Sequence, residues 1–265
     1  MKKIKDKKVV IITGASSGIG LETANYLAGC GYTVYGISNK EYSSEKFEHI
    51  LCDVCNKEEM SKAFEYVYQK EKQIDVLVNN AGIGISGAIE YITKQDLDKI
   101  FEINIKAVIM CSALCLPYLR QSKGKIVNTS SVAAVFSIPF QACYSATKSA
   151  IESFSLALSN EVKSQGIKVV CIRPGDTKTG FTAARIKTDV ENDVYGKKIT
   201  KSVQKMEKDE QNGASPLKVA KVMYKVIKKK NPPYVVSVDG IYKFLSFLKR
   251  LLPLRFVNYI VGKMY

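Results

Sequence analysis

Short apolar runs alternate along this chain with longer segments in which apolar residues recur every three or four positions. Val9–Ile12 is continuous and β-branched, and Thr33–Ile37, His49–Val54, Asp75–Val78, Lys125–Thr129, Lys168–Ile172 and Tyr234–Val238 read as further strands. Strands that are apolar throughout, rather than alternating with polar residues, are buried on both faces. Helical segments lie between them: one ending near Leu27, a charged one over Lys57–Lys72, a long one over Lys94–Arg120 and another over Tyr144–Lys163. Strands spaced by helices predict a parallel sheet covered on both sides. Right-handed crossovers then give an α/β, doubly wound, Rossmann-like sheet of seven strands. With 265 residues, 46% of them hydrophobic, residues 1–265 are expected to form a single domain.

Two segments break the rhythm. Residues 180–215 are polar, with an acidic cluster at Asp189, Glu191 and Asp193 and many lysines. That is long for a connection in a compact domain, and such loops often close over a substrate, so this one is expected to be a lid. Residues 241–265 hold five basic residues and no acidic one, with bulky apolar side chains between them and a break at Pro253. This basic, amphipathic pattern suits three roles: lying on a membrane surface, covering a cleft, or packing against a partner subunit.

A doubly wound sheet binds ligands at the carboxyl ends of its strands, and the candidate chemistry lies there. Thr13-Gly14-Ala15-Ser16-Ser17-Gly18-Ile19-Gly20 follows the first strand and opens a helix. Glycines permit close backbone approach to a pyrophosphate, and the helix N-terminus supplies partial positive charge. Tyr144 and Lys148 stand four apart, on one helix face. A free tyrosine titrates near 10 and is a poor acid or base at neutral pH. A neighbouring ammonium is expected to lower that pKa and make the pair a tuned proton-transfer group. Ser131 lies thirteen positions upstream of Tyr144.

Taken in register, these motifs resemble the short-chain dehydrogenase/reductase family. TGxxxGxG is matched at Thr13–Gly20, NNAG at Asn79–Gly82, a mid-helix asparagine at Asn104, a serine at Ser131, YxxxK at Tyr144 and Lys148, and PGxxxT at Pro174–Thr179. The resemblance covers about residues 8 to 180. It implies an oxidoreductase in which Tyr144 exchanges a proton with the substrate oxygen and Lys148 tunes it and holds the nicotinamide ribose. Ser131 would hold the substrate oxygen, and Asn104 would anchor a water that relays protons from Lys148. It further implies cofactor contacts from Gly14, Ser16, Ser17, Gly18, Ile19 and Gly20, and from Asp53 and Val54 toward the adenine. Asn80, Ala81 and Gly82 would flank the adenosine ribose, and Pro174, Gly175, Thr177 and Thr179 would lie at the nicotinamide. Family members usually pair as dimers or tetramers through the helices that here span Lys94–Arg120 and Tyr144–Lys163.

The end of the second strand bears on the cofactor. An acidic residue there would bind a ribose 2′-hydroxyl and repel a 2′-phosphate. Here Ser38, Asn39 and Lys40 bring no carboxylate and one cation, which favours NADP(H) over NAD(H). Around the reacting end, Ile83, Ile85, Val132, Ala133, Phe136, Ile138, Phe140 and Cys143 are apolar or nearly so. With Ser131 and Tyr144 they predict a pocket for a lipophilic alcohol or ketone. A hydroxysteroid dehydrogenase is the most specific expectation. A 3-oxoacyl thioester reductase is the alternative, and a cofactor-binding sensor or membrane-attached scaffold is the non-enzymatic one.

Charge and cysteine content add limits. The net charge is +15, which would attract nucleic acid, anionic lipid or a phosphorylated ligand. The lysines are dispersed and no nucleic-acid module is recognisable, so a solvated basic surface is expected. Seven cysteines without framework spacing, and a single histidine, His49, point to reduced thiols and no metal site. The first apolar run leads directly into the glycine turn rather than a cleavage site, and no uninterrupted apolar stretch is long enough to span a bilayer. Cytoplasmic residence, with peripheral membrane contact through residues 241–265, is the resulting expectation.

Overall fold

In the chain's computed structural model, which describes residues 7–188 and 194–265, the predicted strands assemble into one parallel sheet. In chain order the strands are β1 (Val9–Thr13), β2 (Thr33–Ser38), β3 (Glu48–Leu51), β4 (Val76–Asn79), β5 (Ile85–Gly87), β6 (Lys125–Thr129), β7 (Lys168–Arg173), β8 (Ile186–Thr188) and β9 (Val235–Ser237). The main sheet runs β3-β2-β1-β4-β6-β7-β9 and is parallel throughout. Chain order reverses between β1 and β4, which opens the ligand crevice of a doubly wound sheet at their carboxyl ends.

Alternate residues of the central strands feed two separate cores. Val9 and Ile11 join residues of α2 (Lys57–Glu71), α4 (Ala107–Ser122) and α5 (Ala142–Glu161) on one side. Val10 and Ile12 join α1 (Gly18–Gly29) and α8 (Pro216–Lys228) on the other. Lys125, at the start of β6, is buried beneath α8, and its ammonium donates to the carbonyls of Val226, Ile227 and Lys229 at that helix's C-terminus. A cation there complements the helix dipole and fills carbonyls that would otherwise lack partners.

Several boundaries differ from those the sequence predicts. The third strand ends at Leu51 rather than Val54, because Asp53 turns the chain: its Oδ1 accepts from Cys55 N at 2.9 Å, and Asn56 caps α2. The long helix over 94–120 is α3 (Lys94–Phe101), a π-turn over Glu102–Lys106, and α4. By length and composition this continuous helix, Lys94–Ser122, could cross a membrane. The apolar-run criterion did not select it. Its Cys111, Cys115 and Leu119 are buried in the domain core, as a core helix requires.

The described residues of the 180–215 segment are more than a loop. They form α6 (Phe181–Ala184), β8 and α7 (Lys198–Gln211), and β8 pairs with β5 in a small second sheet. The acidic cluster at Asp189, Glu191 and Asp193 lies outside the described residues. The C-terminal segment forms α9 (Gly240–Lys249) and α10 (Leu254–Met264), separated at Pro253.

Candidate active site

The glycine turn is closed by the Asn79–Gly82 loop. The Thr13 hydroxyl accepts from Asn80 N at 3.0 Å and Ala81 N at 3.1 Å, while Asn80 Nδ2 donates to Thr13 O at 3.2 Å. Gly14 has φ +67°, and a Cβ on it would stand 2.8 Å from Ala81 Cα. A Cβ on Gly20 would collide with the Gly14 carbonyl. Side chains are thus excluded on both faces of the turn. Ser17 occupies the N-cap of α1 in an extended conformation, yet its side chain makes no capping hydrogen bond. The first N–H groups of α1 therefore remain available to an anion. Turn and uncapped helix fit the diphosphate of a dinucleotide.

The other cofactor candidates are placed unequally. Gly18 approaches Thr179, whose hydroxyl accepts from Phe181 N at 3.2 Å. Thr177 is turned inward, donating to Gly175 O at 2.9 Å. Val54 is buried, and exposed Asp53 is engaged in its own turn. Ser38 is almost fully buried, 2.9 Å from Lys40 O and 2.7 Å from the His49 ring. Its hydroxyl is committed within the strand end, while Asn39 and Lys40 stand exposed beside it.

Tyr144 and Lys148 leave the first turns of α5, which begins two residues earlier than predicted. Lys148 is buried and donates to Thr129 O at 2.9 Å; its Nζ is 5.6 Å from the centre of the Tyr144 ring. Burial pushes the Lys148 ammonium down to about 8. Burial also pushes the Tyr144 phenol up to about 12, with a hydrogen bond to Ser131 acting the other way. The expected lowering of the phenol by Lys148 is therefore not what this structure shows. Desolvation of the ring dominates, and the Lys148 ammonium is turned to the Thr129 carbonyl at the end of β6.

Ser131 caps the short turn Val132–Ala134, accepting from Ala133 N at 3.1 Å. Asn104 sits in the π-turn and is buried. Its Oδ1 accepts from Ile83 N at 2.9 Å, and its Nδ2 donates to Ile83 O at 2.9 Å and to the Thr147 hydroxyl at 3.2 Å. A Cβ on Gly82 would stand 3.2 Å from Asn104 Oδ1 and 3.6 Å from Lys148 Nζ, so both groups converge on one glycine. Asn104, Ser131, Tyr144 and Lys148 thus meet at the carboxyl ends of β4 and β6.

The predicted pocket residues separate. Ile83, Ile85 and Cys143 pack in one cluster with Tyr144. Val132 and Ala133 are buried beneath their own turn. Phe140, at φ +59°, packs against Ala88, Ile199 and Val203 instead, the last two on α7. A small crevice formed there is lined by Ile85, Ile89, Ile92 and Phe140 but by neither Tyr144 nor Lys148.

Sequence reasoning missed three contributors. Phe181 of α6 lies 5.8 Å from the Tyr144 ring, centre to centre. Arg185, just after it, pairs with Glu210 of α7. Tyr242 of α9 lies on Gly175 and donates to Asp176. None belongs to a motif; only the lid reading of 180–215 and the suggestion that the C-terminus covers the cleft pointed toward them. Among the described residues no cluster of three metal-ligating side chains occurs, and all seven cysteines are free thiols.

Other proteins resemble this one in sequence and arrangement. The chain is 38% identical to a 3-ketodihydrosphingosine reductase of Bacteroides thetaiotaomicron over 264 residues, which take in 97% of this chain and 98% of that one. It is 33% identical to a 3beta-hydroxysteroid dehydrogenase of Mediterraneibacter gnavus over 198 residues, 69% of this chain and 72% of the other. The solved structure of ElxO with NADP bound superposes with a TM-score of 0.74 at 27% identity, covering 90% of this chain and 99% of that one. The family pattern described as short chain dehydrogenase matches residues 8–190. The chain belongs to the short-chain dehydrogenase family, oxidoreductases that act on CH–OH groups with a nicotinamide cofactor.

Proposed function

We propose that this enzyme reduces a ketone on a long-chain lipid with NADPH, and that 3-ketodihydrosphingosine is the first substrate to test. The observation that carries this reading is the end-to-end likeness to a reductase of that name, which extends through the lid and the C-terminal helices. The steroid-directed relative matches a smaller share of the chain, so the hydroxysteroid reading stands second and the acyl thioester reading third.

When bound, the cofactor supplies a hydride. The chain's own residues supply the rest. Ser131 and Tyr144 hold the carbonyl oxygen, and the Tyr144 phenol donates the proton that makes it a hydroxyl. Lys148, still an ammonium near neutral pH, favours the charge that then forms on the phenolate oxygen. Asn104 keeps Ile83 and the Gly82 backbone in place beside Lys148 and, with a water, passes protons toward it. Preference for NADP(H) is supported by the lack of a carboxylate at the end of β2 and by exposed Lys40.

The C-terminal helices play two parts. Through Tyr242, and through Lys249 donating to Val135 O, they cover the loops that border the cleft. Through Ile241, Phe244, Phe247 and Leu251 they present an apolar face outward, toward a membrane that holds the substrate. Exposed Ile109 of α4 and Leu156 of α5 suit pairing with a second copy.

NADPH oxidation by the purified enzyme is to be followed with 3-ketodihydrosphingosine, a panel of ketosteroids and a short 3-oxoacyl thioester. The sphingoid ketone is expected to give the highest kcat/KM. Higher turnover of a steroid or thioester would overturn the assignment.

A further inference from the structure

The side chain of Arg185 is 1% exposed. Its Nη2 donates to Glu210 of α7, and that carboxylate also accepts from the Thr182 hydroxyl. Nε and Nη1 have no hydrogen-bond partner among the described residues. A guanidinium keeps its charge and carries five donors. Buried donors are nearly always satisfied, because leaving one unpaired is costly. Glu210 accounts for the charge of Arg185 but not for its two open nitrogens.

Of the two, Nε lies close to the loop that borders the reaction cleft. Nε is 3.4 Å from where a Cβ on Gly84 would stand, and the tip of the Phe181 ring is 2.9 Å from that same point. Gly84 follows the Asn79–Gly82 loop that borders Lys148. The Phe181 ring centre is 5.8 Å from the Tyr144 ring centre and 5.8 Å from the guanidinium carbon of Arg185. Beyond burial and the Ser131 hydrogen bond, the Tyr144 phenol responds to Glu210, which raises its pKa, and to Arg185, which lowers it. One ring thus separates the reacting phenol from a neutral ion pair with spare donors.

We propose that Arg185 is a substrate-recognition residue whose Nε–H and Nη1–H groups bind a second, uncharged oxygen of the substrate, a hydroxyl close to the reacting carbonyl. Because Glu210 already balances the guanidinium, a hydroxyl completes its hydrogen bonds without adding charge to a buried site. A carboxylate would leave that site with a net negative charge. The inference rests on the reading of the cleft as a lipid ketone reductase and narrows its substrates. Ketones with a hydroxylated head are accepted, and ketones with a single oxygen at the reacting end are selected against, since they leave the donors unpaired.

The test separates binding from turnover. The Tyr144→Phe variant, saturated with NADP⁺, is titrated calorimetrically with a long-chain 1-hydroxy-3-ketone, with the 3-ketone of equal length lacking the hydroxyl, and with the matching 3-keto acid. The hydroxyketone is expected to bind on the order of 100-fold tighter than the plain ketone and tighter than the acid. Adding Arg185→Met with Glu210→Gln, which removes the pair without stranding a charge, should make the hydroxyketone and the plain ketone bind alike. Its melting temperature and NADP⁺ affinity report whether the fold survives. Equal affinities for the two ketones in the Tyr144→Phe protein, failure of the hydroxyketone to bind, or stronger binding of the acid would overturn the proposal. So would a preference that persists in a folded double replacement. The first three outcomes need no variant at residue 185. Preferential binding of a hydroxyketone that the unmodified enzyme then fails to reduce would instead sink the reductase reading and leave the role of Arg185 standing.

Discussion

At the scale of single residues, the site is governed by burial more than by charge pairing. The phenol of Tyr144 is held up at about 12 and the ammonium of Lys148 down at about 8, both mainly by desolvation. In the reducing direction Tyr144 must carry a proton, which it does throughout the neutral range. The group that titrates there is Lys148, charged below about pH 8 and neutral above it. The kcat/KM for ketone reduction is therefore expected to fall as pH rises through that value. Lys148→Met should remove that alkaline limb along with most of the rate. A profile that stays level to about pH 10 in the unmodified enzyme would show that Lys148 does not act through its charge. Tyr144→Phe should cost roughly 10²–10⁴-fold in turnover while NADPH still binds. Gly20→Ala should have the opposite signature. A methyl directed at the Gly14 carbonyl displaces the turn, so NADPH affinity measured by nucleotide fluorescence should collapse even in the absence of substrate. Tyr144, Lys148 and Gly20 were legible because their chemistry imposes a spacing. Arg185 was not, since a lone arginine in a polar segment has no partner visible until the fold brings Glu210 of α7 beside it.

At the scale of elements, the strands and helices were legible where burial on both faces imposes a pattern, and less so where a single contact sets a boundary. The long helix over 94–120 reads as uninterrupted because the π-turn over Glu102–Lys106 contains no glycine or proline to mark it. The extra residue over Glu102–Lys106 nonetheless places Asn104 against the backbone of Ile83. The small β5–β8 sheet was also hidden, as two three-residue strands far apart in sequence carry no signal of their own. A further tie, equally silent in the sequence, fixes α5. Glu152 of α5 pairs with Arg173 at the end of β7 and accepts from the Ser130 hydroxyl at 2.7 Å, next to Ser131. Both side chains are largely buried, so removing one partner strands the other. Glu152→Ala is expected to lower unfolding stability by about 3–5 kcal/mol, read from urea midpoints. Replacing both members with apolar residues, Glu152→Leu with Arg173→Met, should recover most of that loss. A single replacement costing under about 1 kcal/mol would mean that the pair behaves as an exposed one and does not anchor α5.

At the scale of the whole molecule, the parallel direction and doubly wound class of the sheet followed from the alternation of buried strands and helices, while the strand order, with its reversal between β1 and β4, is given by the structure. What the sequence left open was how residues 241–265 divide their apolar side chains, because amphipathic periodicity does not say which partner each face meets. The structure assigns one face inward, with Tyr242 on Gly175 and with Val257 and Val261 buried. The outward face still exposes Phe244, Phe247, Leu251, Leu254 and Ile260 on a segment free of acidic residues. Apolar side chains that insert and cations that meet anionic headgroups reinforce one another, at about 1 kcal/mol per lysine or arginine near the surface. With a chain of net charge +15, binding to anionic vesicles is expected to exceed binding to zwitterionic ones and to weaken as salt is raised. Phe244→Ser with Phe247→Ser should abolish co-sedimentation with anionic vesicles, yet leave reduction of a short, water-soluble ketone unchanged, because both side chains are exposed on the outward face. Co-sedimentation that survives both replacements would place the membrane contact elsewhere on the basic surface. Loss of activity on the soluble ketone would instead make the outward face part of the cleft's cover.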